Sequence, residues 1–296
     1  VSSQSRARRY LVLALAAVAA AVAAGFISIA AAPLPDAFHF VILGDRTGEA
    51  QPGVYERVWQ EAAAENPAFV LTMGDTIEGL NDAGAPAEWR KIEQVLLPYR
   101  KFPLYLTPGN HDIWSHSSEI LFRNFAGHPP HYSFDYQQAH FTILDNSRSE
   151  QFSPDEMQFL GQDLEAHRAQ PVKFIVSHRP SWLIDAAFVN PRFPLHQLAN
   201  KYGVQYVLAG HIHQMIHIDL EGVSYISLPS AGGHLRLSEQ YQDGWFFAHT
   251  LAEVSGTTVN LQIKELGAPH GQGRVTGPRD WGRAGLAARG VTARAK

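Results

Sequence analysis

Five apolar runs in this sequence each lead directly into a residue that can hold a metal ion. Asp45 follows FHFVILG, and Asp75 follows FVLTMG. Asn110 and His111 follow FPLYLTPG, His178 follows VKFIVS, and His211 and His213 follow VQYVLAG. Any one of them could be a polar residue opening a loop. Five together, two of the histidines lying in Gly-His-Ile-His, fit a shared site better. Carboxylate, amide and imidazole donors suit borderline-hard divalent or trivalent ions such as Mn, Fe, Zn, Co or Ni. Two carboxylates, one amide and three imidazoles exceed what one four-coordinate ion takes up, which points to two ions. A carboxylate can bridge a pair about 3.5–4 Å apart, the spacing used in two-metal hydrolysis. His211 and His213 lie two residues apart, so in an extended segment they face one way. The chain has no cysteine and 15 histidines, which excludes disulfides, thiolate zinc and iron–sulfur clusters.

The elements that must position these residues alternate. FHFVIL, AFVLTM, FPLYLT, HFTILD, VKFIVS and VQYVLA are short apolar runs bounded by turn residues, the pattern of buried strands. Between them, VYERVWQEAAAE, AEWRKIEQVLLPYR and SPDEMQFLGQDLEAHRA predict helices. The last has Ser153 at the cap, Pro154 at the first helical position and Glu156 three residues after the cap. The alternation predicts an α/β fold with parallel pairing, whose ligands bind beyond the carboxyl ends of the strands. Glycines 44, 74, 109 and 210 permit tight turns there. From Gly222 onward, VSYISLPS, GWFFAHTLAEV and TVNLQI predict an antiparallel edge or a second sheet. The stretch from Glu78 to Trp89 and the one after Gly-Asn-His-Asp, with Trp114, His116, His128 and His131, read as long loops.

Residues 1–35 read as a signal peptide or membrane anchor, because Arg6, Arg8 and Arg9 precede an apolar run from Tyr10 to Ala32. Positive charge stays on the cytoplasmic side, so the rest of the chain is expected outside the cytoplasm: periplasmic, secreted or membrane-anchored. Residues 36–266 read as one folded domain, and 267–296 as a flexible basic tail rich in Gly, Ala and Arg. A net charge of −4 gives no reason to expect a nucleic-acid partner, and no protein partner is legible.

The ordered set GD-x-x-G, GD-x-x-x-G, GNHD, S-H-R-P and GHIH resembles the calcineurin-like metallophosphoesterase family, which includes the purple acid phosphatases. The resemblance implies a four-layer αββα sandwich of two mixed sheets, and a two-metal hydrolase of phosphomonoesters or phosphodiesters. It implies that Asp75 bridges both ions, that Asp45 and His213 serve the first, and that Asn110, His178 and His211 serve the second. His111 resembles the family histidine that protonates the leaving oxygen, with Asp112 orienting it. Manganese, iron or zinc are the expected ions. Arg46 and Arg179 are candidates for phosphate contacts, because a guanidinium matches phosphate bidentately; a surface salt bridge is the alternative for each. The chain departs from the family at Thr47, where a first-ion histidine is usual, and at Glu78, where the purple acid phosphatase branch has a tyrosine. Arg179 and Ser181 depart from the usual residues around the fourth motif. A metal-binding but catalytically weak regulatory or binding protein is the alternative function. A peptidase is disfavoured, as His-Glu-x-x-His is absent.

Overall fold

In the computed structural model, strand β1 (Ala37–Leu43) is apolar on both faces, and the faces belong to different cores. Phe38, Phe40 and Ile42 join one buried cluster, Val41 and Leu43 another. Side chains alternate along a strand, so a continuous apolar run must be covered on both sides. That requirement builds the whole domain. The residues described are 37–238, 240–281 and the backbone of 284–285. The expected leader at 1–35 falls outside them; among the described residues no helix is long and apolar enough to cross a membrane.

β1 pairs in parallel with β2 (Val70–Thr72), which pairs in parallel with β3 (Leu104–Tyr105). On its other side β1 pairs antiparallel with β10 (Ala248–Ser255), followed by β11 (Thr258–Glu265) and β12 (Val275–Thr276). The second sheet contains β4 (Tyr132–Tyr136), β5 (Ala139–Ile143), β6 (Val172–Val176), β7 (Tyr206–Ala209), β8 (Ile216–Leu220), β9 (Val223–Ser227) and β13 (Ala284–Gly285). Its order is β13-β8-β9-β7-β6-β5-β4. β5, β6, β7 and β9 are mutually parallel, with antiparallel strands at both edges.

Both sheets contribute to a core between them, where Phe40 stacks on Phe69 and Phe141 on Phe174, each pair with ring centroids 4.7 Å apart. Each such ring contributes about 1.5–3 kcal/mol by leaving water. Helices α1 (Val54–Ala64), α2 (Ala85–Leu96) and α3 (His116–Ala126) cover the outer face of the first sheet. Helices α4 (Pro154–Ala166), α5 (Leu183–Ala187) and α6 (Pro194–Tyr202) cover the second. The fold is thus the expected αββα sandwich with two mixed sheets.

Three expectations need correction. The long loop after Gly-Asn-His-Asp contains α3, capped by Ser115, whose hydroxyl accepts from Ser118 N at 3.0 Å. Ser153 caps α4 as expected, but Glu156 does not return to it: its carboxylate takes His131 Nδ1 and Asp145 N instead. Residues 267–281 are not a loose tail. β12 extends the first sheet, Arg274 forms a forked pair with buried Glu265, and Trp281 joins the inter-sheet core.

Candidate metal centre

The parallel strands β1, β2 and β3 of one sheet, and β6, β7 and β9 of the other, each release a loop at their carboxyl ends. Those loops converge. His178 Nε2 lies 3.2 Å from Asp75 Oδ2, 3.1 Å from Asn110 Oδ1 and 3.1 Å from His211 Nδ1. Two ligands at right angles and about 2.1 Å from a common cation stand about 3 Å apart, so this spacing is that of donors around one ion. Asp45 and His213 form a neighbouring pair, with Oδ1 and Nε2 3.8 Å apart. Asp45 Oδ1 is also 3.6 Å from His178 Nδ1. The six residues read from the sequence as metal ligands are therefore brought together, and four of them, Asp45, Asp75, His178 and His213, are fully buried.

Outer contacts fix the imidazoles. His178 Nδ1 faces the Met73 carbonyl at 2.7 Å and His213 Nδ1 the His234 carbonyl at 2.7 Å. A carbonyl only accepts, so each Nδ1 carries a hydrogen and Nε2 is the nitrogen that would ligate a metal. His211 N donates to both oxygens of Asp45 at 2.9 Å, and His111 N to Asp75 Oδ1 at 2.9 Å. The loop after β9, which carries no ligand-type side chain before His234, wraps the Asp45 peptide. Ser230 Oγ and Ala231 N both donate to the Asp45 carbonyl, at 3.0 and 2.9 Å. His234 serves through its carbonyl, while its ring stands in the open near Glu49.

Backbone strain concentrates here. Asp75, His211 and His213 all have positive φ, at 55°, 69° and 60°. Such conformations cost about 1–3 kcal/mol each in a residue with a Cβ. Chain crowding is equally tight: a Cβ on Gly109 would lie 2.2 Å from Asp75 Oδ1.

The donors fit cations. His213 Nε2 is buried without any hydrogen-bond partner, while Asp75 Oδ2 faces His178 Nε2 at 3.2 Å, and a buried polar atom without a partner costs about 1–3 kcal/mol. Burial pushes the Asp75 carboxyl up, but the His178 charge and hydrogen bond outweigh it and hold Asp75 well below the usual range. Burial would lower His178; Asp75 and Asp45 raise it to about 9. His211 is pushed down to about 3 by burial, then by the charges of His178 and Arg179. Two buried carboxylates thus demand positive charge, and imidazoles stand ready to yield that place to metal.

The other predicted residues separate in role. His111 Nδ1 is held by the Glu78 carbonyl, leaving Nε2 as its free nitrogen. Asp112 does not orient it. Asp112 Oδ1 accepts from Thr76 N at 2.8 Å and Ile77 N at 3.2 Å, and Oδ2 from Gly109 N at 2.9 Å. Buried among backbone donors, it ties the Asp75 loop to the Asn110 loop. Arg46 donates to the Thr76 carbonyl at 3.1 Å and lies over the Tyr55 ring. Arg179 contacts Glu150, and its Nη1 is 3.3 Å from His211 Nε2. Glu78 Oε1 accepts from Ala50 N at 2.9 Å, on the loop that carries Thr47.

Residues 38–215 match the family model for calcineurin-like phosphoesterases. The 3′,5′-cyclic adenosine monophosphate phosphodiesterase CpdA of Haemophilus influenzae is 23% identical over 209 residues, covering 64% of this chain and 74% of its own. Among solved structures, the purple acid phosphatase PPD1 from yellow lupin (Lupinus luteus) seeds superposes with a TM-score of 0.62 at 16% identity. The match covers 83% of this chain and 54% of the lupin protein, so this chain spans about half that protein's length. A dimetal phosphatase from Danio rerio gives 0.54 at 14% identity, covering 77% of this chain and 96% of its own. GAP50, the anchor in the inner membrane complex of Plasmodium, gives 0.58 at 15% identity, covering 87% and 94%. At these identities the structural likenesses speak for the fold alone.

Proposed function

Because the chain belongs to the calcineurin-like phosphoesterase family, we propose that this centre holds two metal ions and hydrolyses phosphate esters through residues of its own loops. The observation carrying this reading is the contact of Asp75, Asn110 and His211 donor atoms about His178 Nε2, beside the Asp45–His213 pair. Nitrogen and oxygen donors without sulfur suit manganese, iron or zinc. The Haemophilus relative is named for a phosphodiester substrate and the lupin and zebrafish-type neighbours for phosphatases. Phosphodiesters and phosphomonoesters are therefore the substrate classes for this chain.

Asp75, Asn110, His178 and His211 would hold one ion, and Asp45 and His213 the other, with Asp75 shared between them. When bound, the ions supply activation of water near neutral pH and an offset to the charge on phosphorus oxygens. The chain supplies the rest. The Met73 and His234 carbonyls hold two imidazoles in the ligating tautomer. The strained Asp75 loop, pinned by Asp112, fixes the donors before substrate arrives, so little reorganisation accompanies reaction. His111, with Nδ1 anchored, presents Nε2 as the acid that protonates the leaving oxygen.

A second reading has its own observation. Thr47 stands where the family usually has a ligand, and its buried hydroxyl lies beside the Glu78 carboxylate. A weakly held first ion would give a binding protein with little turnover, and fold alone does not separate the two. Metal content per chain, with turnover of a generic phosphomonoester and phosphodiester under manganese, iron, zinc and magnesium, separates them. Two ions and turnover are expected; at most one ion without turnover favours the binding protein. Asp75→Asn keeps the shape but halves the ligating charge. It should lose both metal and metal-dependent hydrolysis, and full activity in that variant would remove the mechanism.

A further inference from the structure

Three arginines approach the ligand loops, and they differ in what already holds them. Arg46 is spent on the Thr76 carbonyl and the Tyr55 ring, joining the loops after β1 and β2. Arg179 faces the Glu150 carboxylate and the Ser147 carbonyl. Arg236 has no hydrogen bond or ion pair among the described residues, and it is exposed. Its position is nonetheless fixed by what precedes it. Gly233 N donates to the Asp45 carbonyl at 3.2 Å, and His234 N to the Gly48 carbonyl at 3.0 Å. The chain therefore leaves the metal loop only two residues before Arg236.

Gly48 shows where the guanidinium goes. A Cβ at that glycine would lie 3.0 Å from His213 Cε1 and 3.6 Å from Arg236 Nη2. The imidazole edge of a metal-ligand residue and the free guanidinium thus border the same small space. Glu49, next to Gly48, is exposed and stands 4.0 Å from the His234 ring. Family membership does not predict this residue, because the matched region ends at residue 215.

We propose that Arg236 is a substrate-binding residue of this centre, whose guanidinium takes the free oxygens of the substrate phosphate on the His213 side. This rests on the phosphoesterase reading above and adds a contact to it. A guanidinium has parallel N–H donors that match two phosphate oxygens, whereas an ammonium offers a point charge. A phosphomonoester dianion, with three free oxygens, should depend on it more than a diester with two.

The test compares the full-length wild type with Arg236→Ala and Arg236→Lys, each loaded with manganese. Binding of inorganic phosphate is measured by calorimetry, and KM and kcat with a phosphomonoester and a phosphodiester. In Arg236→Ala the phosphate Kd and the monoester KM should rise about 10- to 100-fold, the range of a charge-assisted hydrogen bond. The diester KM should rise less, and metal content and Tm should stay at wild-type values. Arg236→Lys should recover part of the binding. Phosphate binding to Arg236→Ala within twofold of wild type overturns the assignment, as does loss of metal in that variant. A wild type that binds phosphate and turns over no ester sinks the hydrolase reading while the Arg236 comparison still decides. A wild type that binds no phosphate overturns both.

Discussion

His111 illustrates how one side chain can be divided between tasks. Its backbone N–H holds Asp75 Oδ1, so part of its role survives any substitution except proline. Its ring is fixed at Nδ1 by the Glu78 carbonyl, leaving Nε2 to act on a leaving oxygen. His111→Ala should therefore retain metal and lower kcat by about 10²–10⁴ with a poor leaving group such as an alkoxide. With p-nitrophenolate, which leaves without a proton, the loss should be much smaller. Equal losses on both substrates would remove His111 as the acid. The pairing of His111 with Asp112, in contrast, was a motif-level expectation that contacts override. A carboxylate with 0% exposure goes to whichever backbone donors need it, and three N–H groups from two loops surround Asp112.

At the scale of elements, the centre depends on turns that follow strands. Gly74, between β2 and Asp75, has φ +95°, and a Cβ there would lie 2.7 Å from His178 Nδ1 and 2.9 Å from Gly109 backbone atoms. Gly74→Ala should cost about 1–2 kcal/mol from backbone conformation alone, and displacement of His178 should add to it. The expected outcome is a lower Tm together with reduced metal content; wild-type metal content would show that the turn tolerates a side chain. The strands were legible as runs bounded by Gly, Pro and Asp. α3 was less legible because HSSEILFRNFA buries only Ser118 and Phe122 and starts on polar residues. Its start depends on Ser115 accepting from Ser118 N and on Asp82, 33 residues away, bonding the same hydroxyl. The loop after β9 was overlooked for a related reason. Ser-Ala-Gly-Gly carries no ligating side chain, and its contribution is made by backbone groups and one hydroxyl.

At the scale of the molecule, a second cluster of ligand-type residues joins strands to a helix. His140 on β5 is buried between Asp135 of β4, at 2.7 Å from Nδ1, and Asp163 of α4, at 2.9 Å from Nε2. Thr142 and Ser133 hydroxyls also bond Asp163, and the His167 ring stacks on His140 at 3.9 Å and 15°. Stacked rings point their nitrogens side by side rather than at one ion, so this group is an imidazolium between carboxylates. Burial would lower His140, but its bonds to Asp163 and Asp135 raise it. With the folded value above the unfolded value of about 6.5, its stabilisation is complete below that pH and is lost as pH rises through the folded value. Asp163 is held low against burial by His140, Ser133 and Thr142, so its share is lost only in acid. His140→Gln should be destabilised by about 3 kcal/mol near pH 5.5, as for a broken buried pair, and by less at alkaline pH. Thermal unfolding of both proteins across that range checks it, and a pH-independent gap would contradict the charged state.

The sequence by itself determined which residues could bind metal and on which edge they stand. Apolar runs covered on both faces force a layered α/β packing, and a ligand-type residue directly after each run must emerge at the carboxyl end. Tertiary structure alone decided what each neighbour does. Arg46 and Asp112 bond backbone on another loop, Arg236 comes from a connection far along the chain, and residues 267–281 fold back onto the first sheet. These outcomes depend on contacts between segments distant in sequence, and hydrogen bonds to backbone leave no pattern in residue types.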